Sequence, residues 1–215
     1  MRILGIDEAG RGPVVGPLVV AGVLCEDQEE LRRLGVRDSK QLTPSRREAL
    51  AVEIARVATS RVLRITAAEL DASMEEESLN RVEARAFAEV IRELAPDEVI
   101  VDCCDTDEAR FGARVLRDLG YDLPLRAEHK ADQNHPVVSA ASIVAKVVRD
   151  EEVRRIGFEL GQPVGSGYAH DPNTRAFLKQ WLTVHGEMPP YTRLAWKTSQ
   201  GLLSEAKLGK LEAWE

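Results

Sequence analysis

Two neighbouring acids, Asp7 and Glu8, follow the apolar run 3–6, which is typical of a short strand, and Gly10-Arg11-Gly12 comes directly after them. Carboxylates at a strand end can hold a divalent cation, and a bare glycine backbone can approach a ligand closely beside an arginine suited to phosphate. Successive strand side chains point to opposite faces. Both acids therefore serve one site only if the pleating breaks between or just after them, which the glycines permit.

Two further acids occupy comparable places in the chain. Asp102 stands near the end of the strand-like run 98–104, and Asp132 follows the strand candidate 123–128 at the start of a helix. Open α/β sheets carry their functional groups beyond the carboxyl ends of the strands, so the four acids are predicted to converge. Their mutual repulsion is tolerable only with cations between them. Oxygen ligands without a cysteine or histidine cage favour Mg²⁺ or Mn²⁺.

A pair of such cations can activate a water on one side of a phosphodiester and stabilise the leaving oxygen on the other, without a protein nucleophile. Two other interpretations of the first motif remain. The acids can simply be solvated at a turn. A dinucleotide-binding loop is weakly supported, because the strand-like run 18–24 follows Gly16 where a helix should begin.

The composition is that of an ordinary globular protein, with 215 residues, 44% of them hydrophobic and 30% charged. No apolar run approaches the roughly 20 residues of a membrane span, and no signal peptide is evident. Three cysteines form neither a disulfide framework nor a zinc spacing, so we expect a cytoplasmic protein without membrane contact.

The net charge of −7 argues at first against a nucleic-acid partner. It is unevenly placed, however. Residues 1–125 hold 17 lysines and arginines against 25 acids, net −8, whereas residues 126–215 hold 12 against 11, net +1. Part of the acidity of the first half would be neutralised by bound cations.

The elements that must position these residues are three strands followed by strands alternating with helices. Strands are predicted over 3–6, 14–25, 60–70, 98–104 and 123–128, with the first two antiparallel. Helices are predicted after Thr43-Pro44, over 79–95, 106–119, 137–156 and 173–185, and after Tyr191.

Seven groups of residues, in this order along the chain, resemble ribonuclease HII. They are Gly5-Ile6-Asp7-Glu8-Ala9-Gly10-Arg11-Gly12 with Gly16-Pro17, Asp38-Ser39-Lys40, Val101-Asp102, Lys130-Ala131-Asp132, Ala140-Ala141-Ser142-Ile143-Val144-Ala145-Lys146 with Arg149-Asp150, Gly165-Ser166-Gly167-Tyr168, and Asp171-Pro172. Two features depart from the family pattern: Cys103-Cys104 after the third acid, and His170 after Tyr168-Ala169.

The resemblance implies an α/β, ribonuclease H-like mixed sheet of about five strands flanked by helices, with a C-terminal helical extension. The implied catalytic domain covers residues 1–175 and the extension 176–215. The implied activity is endonucleolytic cleavage of the RNA strand in RNA/DNA hybrids and 5′ of ribonucleotides embedded in duplex DNA, leaving 5′-phosphate and 3′-hydroxyl ends. Another two-metal nuclease of the same fold, such as a resolvase or an exonuclease, is the alternative.

The resemblance also implies residue roles. Asp7, Glu8, Asp102 and Asp132 match the catalytic metal-binding acids. Gly10, Arg11 and Gly12 match the segment that reads the ribose 2′-hydroxyl, and Tyr168 matches the tyrosine that packs on the sugar.

Other basic residues and the chain end complete the expectations. Lys40, Arg46 and Lys146 are candidate phosphate contacts, although each can instead be a solvated charge. The end of the chain, 208–214, lacks the glutamine, aliphatic and double aromatic of a sliding-clamp ligand, so no clamp partner is predicted. We expect a monomer.

Overall fold

The computed structural model describes residues 1–36 and 42–212, with side chains described up to residue 206. The elements in chain order are β1 Ile3–Ala9, β2 Leu18–Cys25, α1 Gln28–Arg33, α2 Pro44–Val57, β3 Thr59–Ile65, α3 Ala67–Ser73, α4 Leu79–Leu94, β4 Glu98–Asp102, α5 Glu108–Leu119, β5 Leu125–Glu128, α6 Ala131–Asn134, α7 Pro136–Glu159, α8 Pro172–His185 and α9 Lys197–Glu212.

The five strands form one mixed sheet in the order β3-β2-β1-β4-β5. The central strand β1 is antiparallel to β2 and parallel to β4, and β4 is parallel to β5. The predicted fold class, a mixed sheet of about five strands flanked by helices with a C-terminal helix, is confirmed. The antiparallel pairing of the first two strands is also confirmed.

Several predicted boundaries differ from those of the structure, two of them for a clear local reason. The strand predicted over 60–70 ends at Ile65, because Thr66 caps α3. Its hydroxyl accepts the N–H of Glu69 at 3.2 Å while the Glu69 carboxylate accepts the Thr66 N–H at 2.8 Å, which is a capping box. The second strand begins at Leu18 rather than residue 14, because Gly16 adopts a φ of +93°. The fourth strand ends at Asp102 rather than residue 104.

The chain divides into two compact units. The first comprises 1–9, 19–64 and 77–148 and contains most of the sheet, while the second comprises 10–18, 65–76 and 149–215. The boundary predicted at residues 175 and 176 falls inside α8, and the division into a catalytic domain and an extension stays a prediction. No helix among residues 1–36 and 42–212 is long and apolar enough to cross a membrane.

The core of the first unit joins β2, which is buried at every residue, to a small-residue face of α7 that includes Ala140, Ala141 and Ala145. The first turn of α7 lies directly on β1, since a Cβ added at Gly5 would sit 2.4 Å from the carbonyl carbon of Val137. This close approach fixes the helix against the strand that carries Asp7. The core of the second unit contains Val14, Val15, Phe177, Leu178 and Leu182.

We expect Gly5→Ala to destabilise the protein by about 1–3 kcal/mol, because the new methyl group meets backbone atoms that cannot rotate away. Denaturant unfolding measures the change. Gly201→Ala is the matched control: a Cβ there meets nothing within 4 Å, so the substitution in α9 stabilises by up to about 1 kcal/mol. Equal effects of the two substitutions would contradict the close packing of α7 on β1.

Candidate active site

Asp7 is a buried acid near the end of the central strand, with only 5% of its surface exposed. The hydroxyl of Ser142 and the N–H of Glu8 both hydrogen-bond to its carboxylate, the latter at 2.7 Å. Ser142 lies on α7, the helix whose first turn packs on β1. The strand and the helix of the first unit therefore hold the Asp7 side chain in place together.

Burial raises the pKa of Asp7 to about 7, with the negative charge of Asp102 as the second cause and that of Asp132 as a smaller one. The two hydrogen bonds oppose this rise but do not cancel it. Asp102 and Asp132 therefore both lie within electrostatic range of Asp7, while the role of the three acids as catalytic metal ligands stays a prediction. A cation among them would offset the repulsion that raises this pKa.

Strand register explains why acids so far apart in the chain meet. Ile6 on β1 is paired in parallel with Val101 on β4, so Asp7 and Asp102 are the next residues on neighbouring strands. Asp102 ends β4, and its Oδ1 accepts the N–H of Ala131 at 2.7 Å. That hydrogen bond ties the end of β4 to the first residue of α6.

Asp132 is the second residue of α6 and is 3% exposed. Lys130, with a φ of +58°, makes the turn between β5 and this short helix. The hydroxyl of Ser139 on α7 donates to the Asp132 carbonyl at 2.5 Å. The position of Asp132 thus depends on β4, through Ala131, and on α7.

Glu8 is half-buried and precedes the last residue of β1. The ladder stays regular through both acids, with Asp7 opposite Ala21 and Glu8 opposite Val20, so the two side chains leave opposite faces of the strand. The break in pleating comes just after them, at Gly10, which has a φ of +90°. The role of Glu8 as a ligand stays a prediction.

The donor chemistry of these acids fits a hard, hydrated cation. In the described part of the chain, no three histidine, cysteine or acidic side chains are grouped closely enough to hold an ion by themselves. Mg²⁺ does not require such a cage, because it keeps several waters and is usually held by one or two carboxylates together with substrate phosphates. The buried Asp7 beside Asp102 suits that mode of binding.

Asp105 follows Asp102 closely in the chain, and two arginines balance its negative charge. It is 4% exposed, and the guanidinium groups of Arg110 and Arg114 hydrogen-bond to its carboxylate, the latter at 2.7 Å. The hydrogen bond from Arg110 is the main reason why its pKa lies below the usual range. We therefore assign Asp105 a structural role, in keeping with its exclusion from the predicted metal ligands.

The segment predicted to read ribose belongs to the second unit. A Cβ added at Gly10 would lie 2.7 Å from the Pro17 carbonyl oxygen, and the positive φ there also requires glycine. A Cβ added at Gly12 would lie 3.7 Å from Cε1 of Tyr168. The structure therefore places Gly12 and Tyr168 side by side.

Tyr168 is half-buried and leaves a loop whose Gly165 and Gly167 both have positive φ. Asp171 accepts the N–H of Ser166 at 2.6 Å, and Thr174 Oγ1 accepts that of Gly167 at 2.9 Å. These hydrogen bonds fix the loop to the start of α8.

Arg149 supports the same tyrosine from within the second unit. It is 1% exposed, its guanidinium carbon lies 5.0 Å from the centre of the Tyr168 ring, and its Nη2 donates to the Ser166 carbonyl at 2.6 Å. The cation–π contact and the hydrogen bond hold both the ring and its loop.

The other predicted phosphate contacts are less well defined. Lys40 lies outside the described residues. Arg46 is exposed on α2, where its guanidinium donates to the Leu34 carbonyl at 3.1 Å and contacts Glu53 at 3.4 Å. Lys146 is half-buried on α7.

Three side chains with clear positions were given no role by sequence reasoning: Ser142, Arg149 and Arg193. The first two stand inside the motif of α7, which was the available signal. No pattern in the sequence singles out Arg193.

Comparison with known proteins identifies the family of the chain. The family model of ribonuclease HII matches residues 4–199. The ribonuclease HII of Methanothrix thermoacetophila is 43% identical over 205 residues, which are 94% of this chain and 97% of the relative.

Solved structures are also similar. The ribonuclease H2 of Pyrococcus horikoshii has a TM-score of 0.89 at 38% identity, covering 96% of this chain and 99% of that one. The PCNA:RNase HII complex of Archaeoglobus fulgidus has a TM-score of 0.86 at 44% identity, covering 93% and 96%. Bst-RNase HIII in complex with Mn²⁺, with a TM-score of 0.82 at 22% identity and coverages of 97% and 71%, shares the fold alone.

The mixed five-stranded sheet, with Asp7 and Asp102 near the ends of neighbouring parallel strands, places the chain in the ribonuclease H-like fold class. The chain belongs to the ribonuclease HII family. It is therefore a metal-dependent endoribonuclease with ribonuclease H activity on RNA/DNA hybrids.

The raised pKa of Asp7 makes the stability of the metal-free protein depend on pH. Between the ordinary pKa of 3.8 and about 7, the folded state keeps a proton that the unfolded state has lost, so stability falls as pH rises. In EDTA, the free energy of unfolding of the wild type should fall by about 2 kcal/mol more than that of Asp7→Asn between pH 5 and pH 7.

Thermal unfolding across this pH range measures the difference. Glu151→Gln, at an exposed site on α7, is the control and should keep the pH slope of the wild type. Parallel pH profiles of the wild type and Asp7→Asn would contradict the raised pKa.

Proposed function

We propose that the protein hydrolyses phosphodiesters by a two-metal mechanism, in RNA/DNA hybrids and on the 5′ side of ribonucleotides embedded in duplex DNA. The observation that carries this proposal is the burial of Asp7 within electrostatic range of Asp102 and Asp132. Asp7, Glu8, Asp102 and Asp132 would hold the cations. When bound, Mg²⁺ or Mn²⁺ supplies a polarised water and charge neutralisation at the phosphate.

The bond changes define the products. The water oxygen forms a new bond to phosphorus, the bond from phosphorus to the 3′ oxygen breaks, and that oxygen takes up a proton. The ends are a 5′-phosphate and a 3′-hydroxyl. The water is the nucleophile, so the proposed mechanism requires no covalent intermediate with a side chain.

Recognition of ribose is assigned to Gly10, Arg11, Gly12 and Tyr168. Only the 2′-hydroxyl distinguishes ribose from deoxyribose at one position, so its recognition requires close contact. The positive φ of Gly10, and the position of Gly12 within van der Waals reach of the Tyr168 ring, suit a backbone that must approach a sugar. Lys40, Arg46 and Lys146 are proposed to contact phosphates, which orient a duplex without reading its sequence.

Removal of a metal-binding acid tests the mechanism. Asp7→Asn and Asp102→Asn should each lower the cleavage rate by at least about 100-fold, because each loses a charge that holds a cation. The substrate is labelled duplex DNA with one ribonucleotide, incubated with Mg²⁺, Mn²⁺ or EDTA. Glu151→Gln is the control and should cleave at the wild-type rate. An Asp7→Asn variant with full activity would rule out the mechanism.

An all-DNA duplex in the same assay tests the alternative. A resolvase or exonuclease of this fold would cleave it, whereas a ribose-reading enzyme leaves it intact. The position of the cut and the phosphorylation of the new 5′ end, read on a sequencing gel, complete the test.

Loss of the Tyr168 ring tests sugar recognition. We expect Tyr168→Ala to reduce cleavage at a single ribonucleotide by about 5- to 150-fold, the equivalent of about 1–3 kcal/mol of stacking. Tyr168→Phe keeps the ring over Arg149 and should retain most of the rate. Tyr121→Ala removes a half-exposed tyrosine elsewhere and should change nothing. Equal cleavage rates for Tyr168→Ala and the wild type would show that the Tyr168 ring has no part in sugar recognition.

A sliding clamp is a partner worth testing. The Archaeoglobus fulgidus relative, 44% identical to this chain, was solved as a complex with PCNA. The prediction that this chain lacks a clamp motif depends on 208–214, where no side chain is described. The sequence therefore supports no prediction on clamp binding, and the monomeric state and the cytoplasmic location stay predictions.

A further inference from the structure

Arg193 is a fully buried arginine in the second unit, with 0% of its surface exposed. All three guanidinium nitrogens donate to backbone carbonyls of the segment 10–16. Nη2 lies 2.6 Å from the Gly10 oxygen, Nη1 lies 3.2 Å from that of Arg11, and Nε lies 2.9 Å from that of Gly16. One side chain thus binds both ends of the segment 10–16, whose first three residues are predicted to read ribose.

The backbone of Arg193 is itself held firmly. Its N–H donates to the Val14 carbonyl at 2.8 Å, and its carbonyl accepts the Ser199 hydroxyl at 2.7 Å. The carboxylate of Asp71 accepts the N–H groups of the two following residues, at 2.7 Å and 2.9 Å. The ring of Trp196 lies 4.7 Å from the guanidinium carbon. Arg193 is therefore a fixed support.

The chemistry of the contact requires arginine. Gly10 and Gly16 have φ values of +90° and +93°, and the carbonyls of both accept hydrogen bonds from the one guanidinium group of Arg193. A planar guanidinium carries donors in several directions, whereas a lysine ammonium is a single point. A substitution would leave buried carbonyls unsatisfied, and the segment would shift to recover hydrogen bonds.

We propose that Arg193 is a positioning residue for ribose discrimination. It sets the backbone of Gly10 and Arg11, and therefore how closely this segment approaches a 2′-hydroxyl, without touching the substrate. The inference rests on the proposed reading role of Gly10-Arg11-Gly12. It also gives the region predicted as a C-terminal extension, 176–215, a part in substrate selection.

The test compares Arg193→Lys and Arg193→Gln with the wild type on a duplex containing one ribonucleotide. We expect kcat/KM to fall by between about 10- and 100-fold, the scale of a misplaced binding group. In an Asp7→Asn background, in which cleavage should be at least about 100-fold slower, the preference in binding affinity for this duplex over an all-DNA duplex should fall by a similar factor. Affinity for the all-DNA duplex should change by less than about twofold, because its phosphate contacts remain.

Chemical rescue separates positioning from general damage. Guanidinium chloride at low millimolar concentration should restore part of the rate of Arg193→Gln, whereas sodium chloride at equal ionic strength should not. Arg175→Gln, on α8 at an exposed site, is the matched control and should resemble the wild type throughout.

Asp71→Ala provides a second route if the Arg193 variants do not fold. It removes only the carboxylate that holds the two residues after Arg193 and should lower the preference for ribose in the same direction. Folded Arg193→Lys or Asp71→Ala with an unchanged preference would overturn the inference. A wild-type enzyme that does not cleave at a single ribonucleotide would instead overturn the proposed function.

Discussion

The repulsion between Asp7 and its neighbouring acids is the constraint on which the active site depends. The fold buries Asp7 to 5% exposure and places Asp102 beside it through the parallel register of β1 and β4. Burial and like charge both disfavour ionisation, so a pKa of about 7 results. A protein that keeps such an arrangement gains from it only when a cation binds, which couples metal binding to the stability of the sheet centre.

In the second unit, hydrogen bonds hold a glycine-containing backbone in one conformation. Glycine permits the positive φ at Gly10, but it does not favour that conformation over others. Hydrogen bonds from buried guanidinium groups favour that conformation over the others. Arg193 binds the carbonyls of the 10–16 segment, and Arg149 holds the Tyr168 loop. Rigid support behind a close-approaching backbone is what discrimination of one hydroxyl requires.

Much of the fold was predictable because it follows local patterns. Apolar residues at helical spacing predict α2 and α4, Gly120 marks the end of α5, and Pro136 marks the start of α7. The acids after strand-like runs are predicted to converge because functional groups lie beyond the carboxyl ends of strands in open α/β sheets. The prediction failed at α3, where alternating residues suggested a longer strand and the capping box of Thr66 and Glu69 ended it. The four-residue α6 is too short for a periodic signal.

The supports of the site were not predictable. Arg193 and Gly10 are 183 residues apart in the chain. Every residue has a backbone carbonyl, so the residue types do not show which carbonyls Arg193 binds. Ser142 and Arg149 were visible as motif residues, but their contacts with Asp7 and Tyr168 depend on which face of α7 each one occupies.

The titration of the Asp7 carboxyl, followed by ¹³C NMR of labelled aspartate, tests the central claim most directly. Without divalent cations, we predict a pKa near 7 that falls when Asp102 is replaced by asparagine. Addition of Mg²⁺ should lower the midpoint, because the cation favours the ionised form. A metal-free pKa near 3.8, unchanged by Asp102→Asn, would contradict the account.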